Sequence, residues 1–289
     1  MASGRGFPRS TRVRAPGGSG PRPPLILLNG LAEQASSWYC NRLYWNRFFD
    51  VKVPEFLIYD GPVLQKRIAD GLPISVDYLT DQLETFLDSF VQTPPYHIVA
   101  SSLGCQVALH YAVRHPDRLG RLVLLCPSGM GTEKRLPIVE GCRSSDAESM
   151  LAAIFYNRRC LAPGVIRHYA TLTSSKAWKK GILRTVKGTH GNRVVDKLPR
   201  IQAPTLIICG AEDQIVETQP IVEAVRDLPM FRTVVIPRCG HAPQIEKPRL
   251  VNKLVKRFLT GAPLQREPAG QAELVASADS GRLPAPALA

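Results

Sequence analysis

Apolar residues along this chain gather in short runs, and between the runs they recur at steps of three and four. The runs Leu25 to Leu28, Phe56 to Tyr59, His97 to Ala100, Leu122 to Cys126, Thr205 to Cys209 and Thr233 to Ile236 have strand length and no polar alternation. That pattern predicts strands buried on both faces. Val76 to Phe90 places Val76, Leu79, Leu83, Phe86, Leu87 and Phe90 on one helical stripe, and Leu103 to Arg114, Gln219 to Asp227 and Arg249 to Phe258 read as further helices. Strands alternating with helices predict an α/β fold, a mostly parallel sheet flanked by helices.

The alternation lapses once. Between Cys126 and Thr205, about 75 residues show helical patterning without a strand run, far more than an ordinary connection needs. An inserted helical cap is expected at 129–200, splitting an α/β core of 25–128 and 201–260. Residues 1–24 and 261–289 are rich in Gly, Pro, Ala and isolated charges. They carry too little apolar surface to offset the entropy of ordering, so a disordered basic arm and a disordered tail are expected at the two ends.

Charge sharpens this division. The net charge is +13, yet residues 1–24 hold five arginines and no acid, and residues 129–200 hold fourteen Lys or Arg against five acids. The core is therefore close to neutral. Within 167–200 nine basic side chains (Arg167, Lys176, Lys179, Lys180, Arg184, Lys187, Arg193, Lys197, Arg200) face Asp196 alone. Such one-sign charge predicts attraction of an anionic substrate or of lipid headgroups, with a merely solvated face as the plain alternative. The arginine arm has no interleaved aromatics, so nucleic acid is not expected as a partner. The longest early apolar run, Pro24 to Leu28, is too short for a membrane span or a leader core. Seven scattered cysteines without metal or redox spacing read as reduced thiols, and a cytoplasmic protein is expected. His97, His110, His115, His168 and His190 stand apart from other ligand types, so neither metal nor cofactor is expected.

Activating a serine near neutral pH requires a base, a group that orients the base, and backbone donors for the oxyanion. Each is on offer at the end of a predicted strand. In His97-Ile98-Val99-Ala100-Ser101-Ser102-Leu103-Gly104-Cys105 a strand runs directly into a helix, and Ser102 has the small residues Ala100 and Gly104 two positions to either side. A nucleophile on so tight a turn needs that. Ser101, between Val99 and Leu103, is the poorer candidate. The strand Leu206 to Cys209 leads to Gly210-Ala211-Glu212-Asp213, and Val235-Ile236 leads to Arg238-Cys239-Gly240-His241. Serine, acid and histidine thus follow in that chain order.

Over residues 24–260 the sequence resembles the α/β-hydrolase superfamily. Arg114-His115-Pro116-Asp117-Arg118-Leu119, the acid turn ending at Asp213 and the loop Gly240-His241-Ala242-Pro243 carry the resemblance. It implies Ser102 as nucleophile, His241 as base and Asp213, rather than Glu212, as the orienting acid. Leu27-Leu28-Asn29-Gly30-Leu31 resembles the superfamily's oxyanion turn with Asn29 in place of histidine, which implies the N–H groups of Leu31 and Leu103 as oxyanion donors. A helical insertion at this point roofs the pocket in such proteins, so Phe155, Tyr156, Tyr169 and Trp178 are candidates for its lining or for packing. The expected activity is carboxylic-ester hydrolysis through an acyl-enzyme, on a small-molecule ester or lipid-like substrate. Pro127-Ser128-Gly129-Met130-Gly131 and Arg238 to His241 also resemble members that hydrolyse carbon–carbon bonds of ring-cleavage products, and a non-catalytic ligand-binding relative is a third reading. Relatives usually have two further strands before the oxyanion turn. Residues 1–24 contain none, so either the sheet is shortened, with a bare edge that favours a homo-oligomer, or the true N-terminus differs.

Overall fold

The computed structural model describes residues 22–91, 94–131, 136–261 and 273–274. Strands β1 (Pro24–Leu28), β2 (Asp50–Lys52), β3 (Tyr96–Ser101), β4 (Leu119–Leu125), β5 (Thr205–Gly210), β6 (Phe231–Ile236) and the two-residue β7 (Glu273–Leu274) form one sheet in the order β2-β1-β3-β4-β5-β6-β7, every pair parallel. The expected arm lies outside the described residues up to position 21. The expected tail does so except for Gly261 and β7.

Helices α1 (Arg42–Trp45), α2 (Pro62–Ala69), α3 (Val76–Phe90), α4 (Leu103–Arg114), α5 (Pro137–Ser144), α6 (Ala147–Ala152), α7 (Pro163–Ser174), α8 (Lys176–Thr189), α9 (Thr218–Val225), α10 (Pro243–Glu246) and α11 (Pro248–Leu259) complete the fold. The continuous apolar strands are explained by what covers them. Ile26, Leu28, Ile98, Leu122, Leu124 and Ile207 point into a core shared with α3 and α4. Their neighbours Leu25, Leu27, Val99, Val123, Leu206 and Ile208 point into a second core with Trp38, Trp45 and α11. Successive side chains go to opposite faces, so a strand covered twice must be apolar at every position.

One expectation is corrected. Phe56 to Tyr59 is not a strand. The chain pairs with β1 earlier, Asp50 opposite Pro24 and Lys52 opposite Ile26, and leaves the sheet at Pro54, which has no N–H to donate. The apolar run that follows packs Phe56 and Leu57 against the core from a loop. The edge strand β2 is three residues long and carries the ion pair Lys52–Asp50 at 2.6 Å, and among the described residues no strand lies beyond it. Between β4 and β5 the described residues hold α5 to α8 and short 3-10 turns without a strand.

Register positions the site. Leu28 lies opposite Ala100, Ser101 opposite Leu125, Leu125 opposite Ile208, and Gly210 opposite Ile236. Parallel strands in this register bring their C-terminal ends to one level. The loops that leave them are where an open α/β sheet builds a site.

Candidate active site

Ser102 joins β3 to α4 at φ 47° and ψ −113°, a conformation a side-chain-bearing residue adopts only when its surroundings hold it there. The surroundings are backbone. Ser102 N–H donates to Leu125 O at 3.0 Å, and Ser102 O accepts from Cys105 N–H at 3.0 Å. The start of α4 approaches β1 so closely that a Cβ on Gly104 would stand 2.7 Å from Asn29 O and 2.8 Å from Leu28 O. Small residues flank the serine for this steric reason.

His241 reaches the serine from the loop after β6. Its Nε2 lies 3.0 Å from Ser102 Oγ, and its Nδ1 lies 2.7 Å from Asp213 Oδ2. With the proton on Nδ1, the ring donates to Asp213 and its unprotonated Nε2 accepts from the serine hydroxyl. Asp213 Oδ1 accepts from the N–H groups of Ile215 (2.8 Å) and Val216 (3.1 Å). Burial opposes its ionisation, but the charge and hydrogen bond of His241 and these two amides outweigh burial and hold the carboxyl below its ordinary range.

Neighbouring acids brace the loop. Glu246 accepts from Gly240 N–H at 2.6 Å and from Asn157 N–H at 2.8 Å, while Glu212, the other acid of the turn, accepts from Cys239 N–H at 2.9 Å. The loop is also pressed against the body: a Cβ on Gly210 would meet Gly240 O at 2.1 Å.

Leu31 and Leu103 face the same cavity as Ser102 and His241. The amides around them are engaged: Gly30 N–H donates to Glu33, Ala32 N–H to Tyr59 Oη, and Ser102 N–H to Leu125 O. Among the described residues no acceptor meets the N–H of Leu31 or Leu103. Two unengaged donors beside a serine hydroxyl suit a developing oxyanion.

Three groups here were not anticipated. Glu33 is half-buried beside the serine and accepts from Gly30 N–H (2.6 Å), Ser101 Oγ (2.9 Å) and Gln244 Nε2 (3.3 Å). Burial pushes its carboxyl up, against the downward pull of these donors and of His241. Gln106 donates to Ser128 Oγ at 2.8 Å and accepts from Asn192 at 2.8 Å, forming a polar patch at the cavity wall. His190 lines the cavity as well. The only signal for Glu33 was an acid within a turn otherwise read for its backbone.

The cavity measures about 120 Å³, and its remaining wall is apolar, with Leu136, Ile138, Met150, Ile154 and Val186 contributed by the helical segment. Of the four aromatics considered, Tyr169 lines it, and its hydroxyl donates to Ala32 O at 2.9 Å. Phe155 packs with Cys160 and Ala242, Trp178 packs on Tyr59, and Tyr156 is exposed. Among the described residues no lysine or arginine reaches the cavity wall. A pair of cavities shares Ala32 and Glu33: the second, about 260 Å³, runs between the 54–60 loop and α7 and α8.

Cys126, Asp213 and His241 bring potential metal-ligating atoms within 4.8 Å of one another. They do not suit a resident cation. Asp213 and His241 are already bonded to each other, and full burial pushes the Cys126 thiol well up, so the thiolate a metal needs is disfavoured. All seven cysteines are free thiols. No helix among the described residues is long and apolar enough to cross a membrane.

Comparison with known proteins agrees with this architecture. Among curated proteins, a monoacylglycerol lipase of Xenopus laevis is 23% identical over 85% of this chain and 78% of its own length. A 2-hydroxy-6-oxo-6-phenylhexa-2,4-dienoate hydrolase of Burkholderia cepacia is 25% identical over 56% of this chain and 62% of its own. Among solved structures, a putative lipase of Acinetobacter baumannii superposes with a TM-score of 0.72 at 23% identity, covering 89% of this chain and 92% of that one. The model of the alpha/beta hydrolase family matches residues 25–254. With that match spanning β1 to α11, and with the strand ends converging as described, the chain belongs to the α/β hydrolase family and is a hydrolase.

Proposed function

We propose that this enzyme hydrolyses an uncharged carboxylic ester with a compact apolar acyl group. The observation that carries the reading is His241 bridging Asp213 at 2.7 Å and Ser102 at 3.0 Å beside two unengaged amides. Ser102 Oγ attacks the ester carbonyl while His241 Nε2 takes its proton. The carbonyl oxygen, now negative, is held by the N–H groups of Leu31 and Leu103. His241 then returns the proton to the departing alkoxide, leaving the acyl group on Ser102. Water, deprotonated by the same imidazole, releases the acid and restores the serine. Asp213 keeps the proton on Nδ1 and offsets the imidazolium charge throughout.

The cavity supports an uncharged substrate. Its apolar wall suits an acyl group, and its volume is below the roughly 150 Å³ of an apolar cavity that holds benzene. Its carboxylate, Glu33, disfavours a second anion, and among the described residues no lysine or arginine reaches the wall. The nine cations of 167–200 are therefore not assigned to substrate binding. We assign residues 129–200 as a cap over the site and the free thiols to a reducing, cytoplasmic setting. Likeness to the Burkholderia cepacia enzyme, whose named substrate is a dienoate, keeps carbon–carbon hydrolysis as the second reading.

A panel of p-nitrophenyl esters run beside a dienoate ring-cleavage product separates the two, with turnover expected on acetate to hexanoate esters. Exclusive turnover of the dienoate would replace the ester reading. A fluorophosphonate that fails to label Ser102 in folded protein would sink both.

A further inference from the structure

Seven large apolar side chains are exposed among the described residues, and four of them, Ile58, Val63, Leu72 and Leu183, sit on α2, its flanks and α8. Helix α8 also carries a row of cations. Lys176, Lys180, Leu183, Arg184 and Lys187 are all exposed, and their spacing puts them on one face of α8, opposite the buried Trp178, Gly181, Ile182 and Thr185. Residues 149–195 contain no acid, and among the described residues none of these four cations meets a carboxylate.

The two helices form one surface. Gln65 Nε2 of α2 donates to Ala177 O of α8 at 2.9 Å. A Cβ on Gly181 or Gly188 would lie 2.3 Å from Tyr59 O or 2.2 Å from Ile74 O, so α8 rests on the 59–74 backbone. Ala177, Gly181, Arg184 and Gly188 lie along a single helical row. Arg184 is thereby at the seam between the cations of α8 and the aliphatics around α2. On its inner side α8 supplies Val186 and Thr189 to the cavity.

We propose that this α2–α8 face docks on an anionic lipid bilayer. Ammonium and guanidinium groups would meet lipid phosphates while Ile58, Val63 and Leu183 enter the boundary of the acyl chains, the division of labour found in interfacial helices. Nucleic acid fits less well, because the exposed row has no aromatic on which a base could stack and the aliphatics would be left against water. The inference is independent of the ester reading, since binding is measured without turnover.

The test is sedimentation of the full chain with vesicles of phosphatidylcholine alone or mixed with phosphatidylglycerol. Three variants accompany it, each checked for unchanged Tm: Lys180→Glu/Arg184→Glu/Lys187→Glu, Ile58→Ser/Val63→Ser/Leu183→Ser, and Arg226→Glu/Arg232→Glu/Lys253→Glu, which makes an equal charge change on other elements. The N-terminal arginines are present in all of them. We expect binding to the mixed vesicles alone, a loss of roughly tenfold or more on reversing α8 with a much smaller loss in the distant variant, and a several-fold loss in the serine variant at unchanged net charge. Equal losses in the two reversal variants would overturn the proposal, as would full binding by the serine variant. So would an α8-dependent affinity for polyuridylate in a chain that ignores vesicles.

Discussion

Ser102 holds a backbone conformation that costs energy, and Gly104 is the residue that makes it attainable. Ser102→Ala should leave the fold intact and lower kcat on an ester by on the order of 10⁶-fold, read in a p-nitrophenyl ester assay. Asp213→Asn should cost on the order of 10⁴-fold because His241 loses the partner that fixes its tautomer. The same substitution probes pH. A carboxyl held below its ordinary range contributes stability that is present above the unfolded value, near pH 4, and is lost as pH falls through the lower native value. The Tm difference between wild type and Asp213→Asn should therefore stay constant from about pH 8 to 5 and close only below about pH 4. Glu33→Gln keeps the volume but turns one acceptor into a donor facing Gly30 N–H or Ser101 Oγ. Its expected effect is a kcat lowered by about tenfold with little change in KM, the signature of a loosened oxyanion turn. Ser102, Asp213 and His241 were legible because each ends a buried strand and is marked by a turn of small residues. Glu33 was not, since its role arises from Ser101 and Gln244, distant in sequence and adjacent only once β3 and α10 are in place.

At the scale of elements, Val76–Phe90 was read well because its polar face let the period show, while Leu103–Arg114, buried from Leu103 to Ala112, was marked by the strand-to-helix turn at Ser102. Val76–Phe90 and Leu103–Arg114 have the expected bounds. The loop Phe56 to Tyr59 was misread because an apolar run reports burial and not pairing. Only the register of Asp50–Lys52 against β1 reveals where the strand lies. Helix α8 shows a constraint of the same hidden kind. Gly181 and Gly188 read as weak points in a helix, yet each lies against a backbone carbonyl of the 59–74 segment. Gly181→Ala, which raises helix propensity, should nevertheless lower stability by about 1–3 kcal/mol, seen as a drop in Tm by calorimetry. An unchanged or higher Tm would mean that α8 can step away from Tyr59 without loss.

For the molecule as a whole, charge is partitioned between surface and cavity. The basic residues of the helical segment were expected to attract an anionic substrate or lipid headgroups, but composition alone could not tell an outer face from an inner one. Among the described residues the cavity presents Glu33 and no Lys or Arg. A p-nitrophenyl ester of a neutral acid should accordingly be turned over roughly tenfold or more faster, in kcat/KM, than its ω-carboxylate counterpart. Equal rates would place the carboxylate of the substrate away from Glu33.

The helical segment departs from the sheet after β4 and rejoins it at β5, and every residue of the Ser102–His241–Asp213 relay lies outside that excursion. The proposed chemistry and the greater part of the apolar wall are therefore written in separable stretches of sequence. For an engineer this is a modular joint: grafting a foreign segment between Leu125 and Thr205 should exchange what the enzyme admits and keep what it does, provided the graft supplies a carbonyl where Ile154 O now receives the His241 N–H and an amide where Asn157 N–H now meets Glu246.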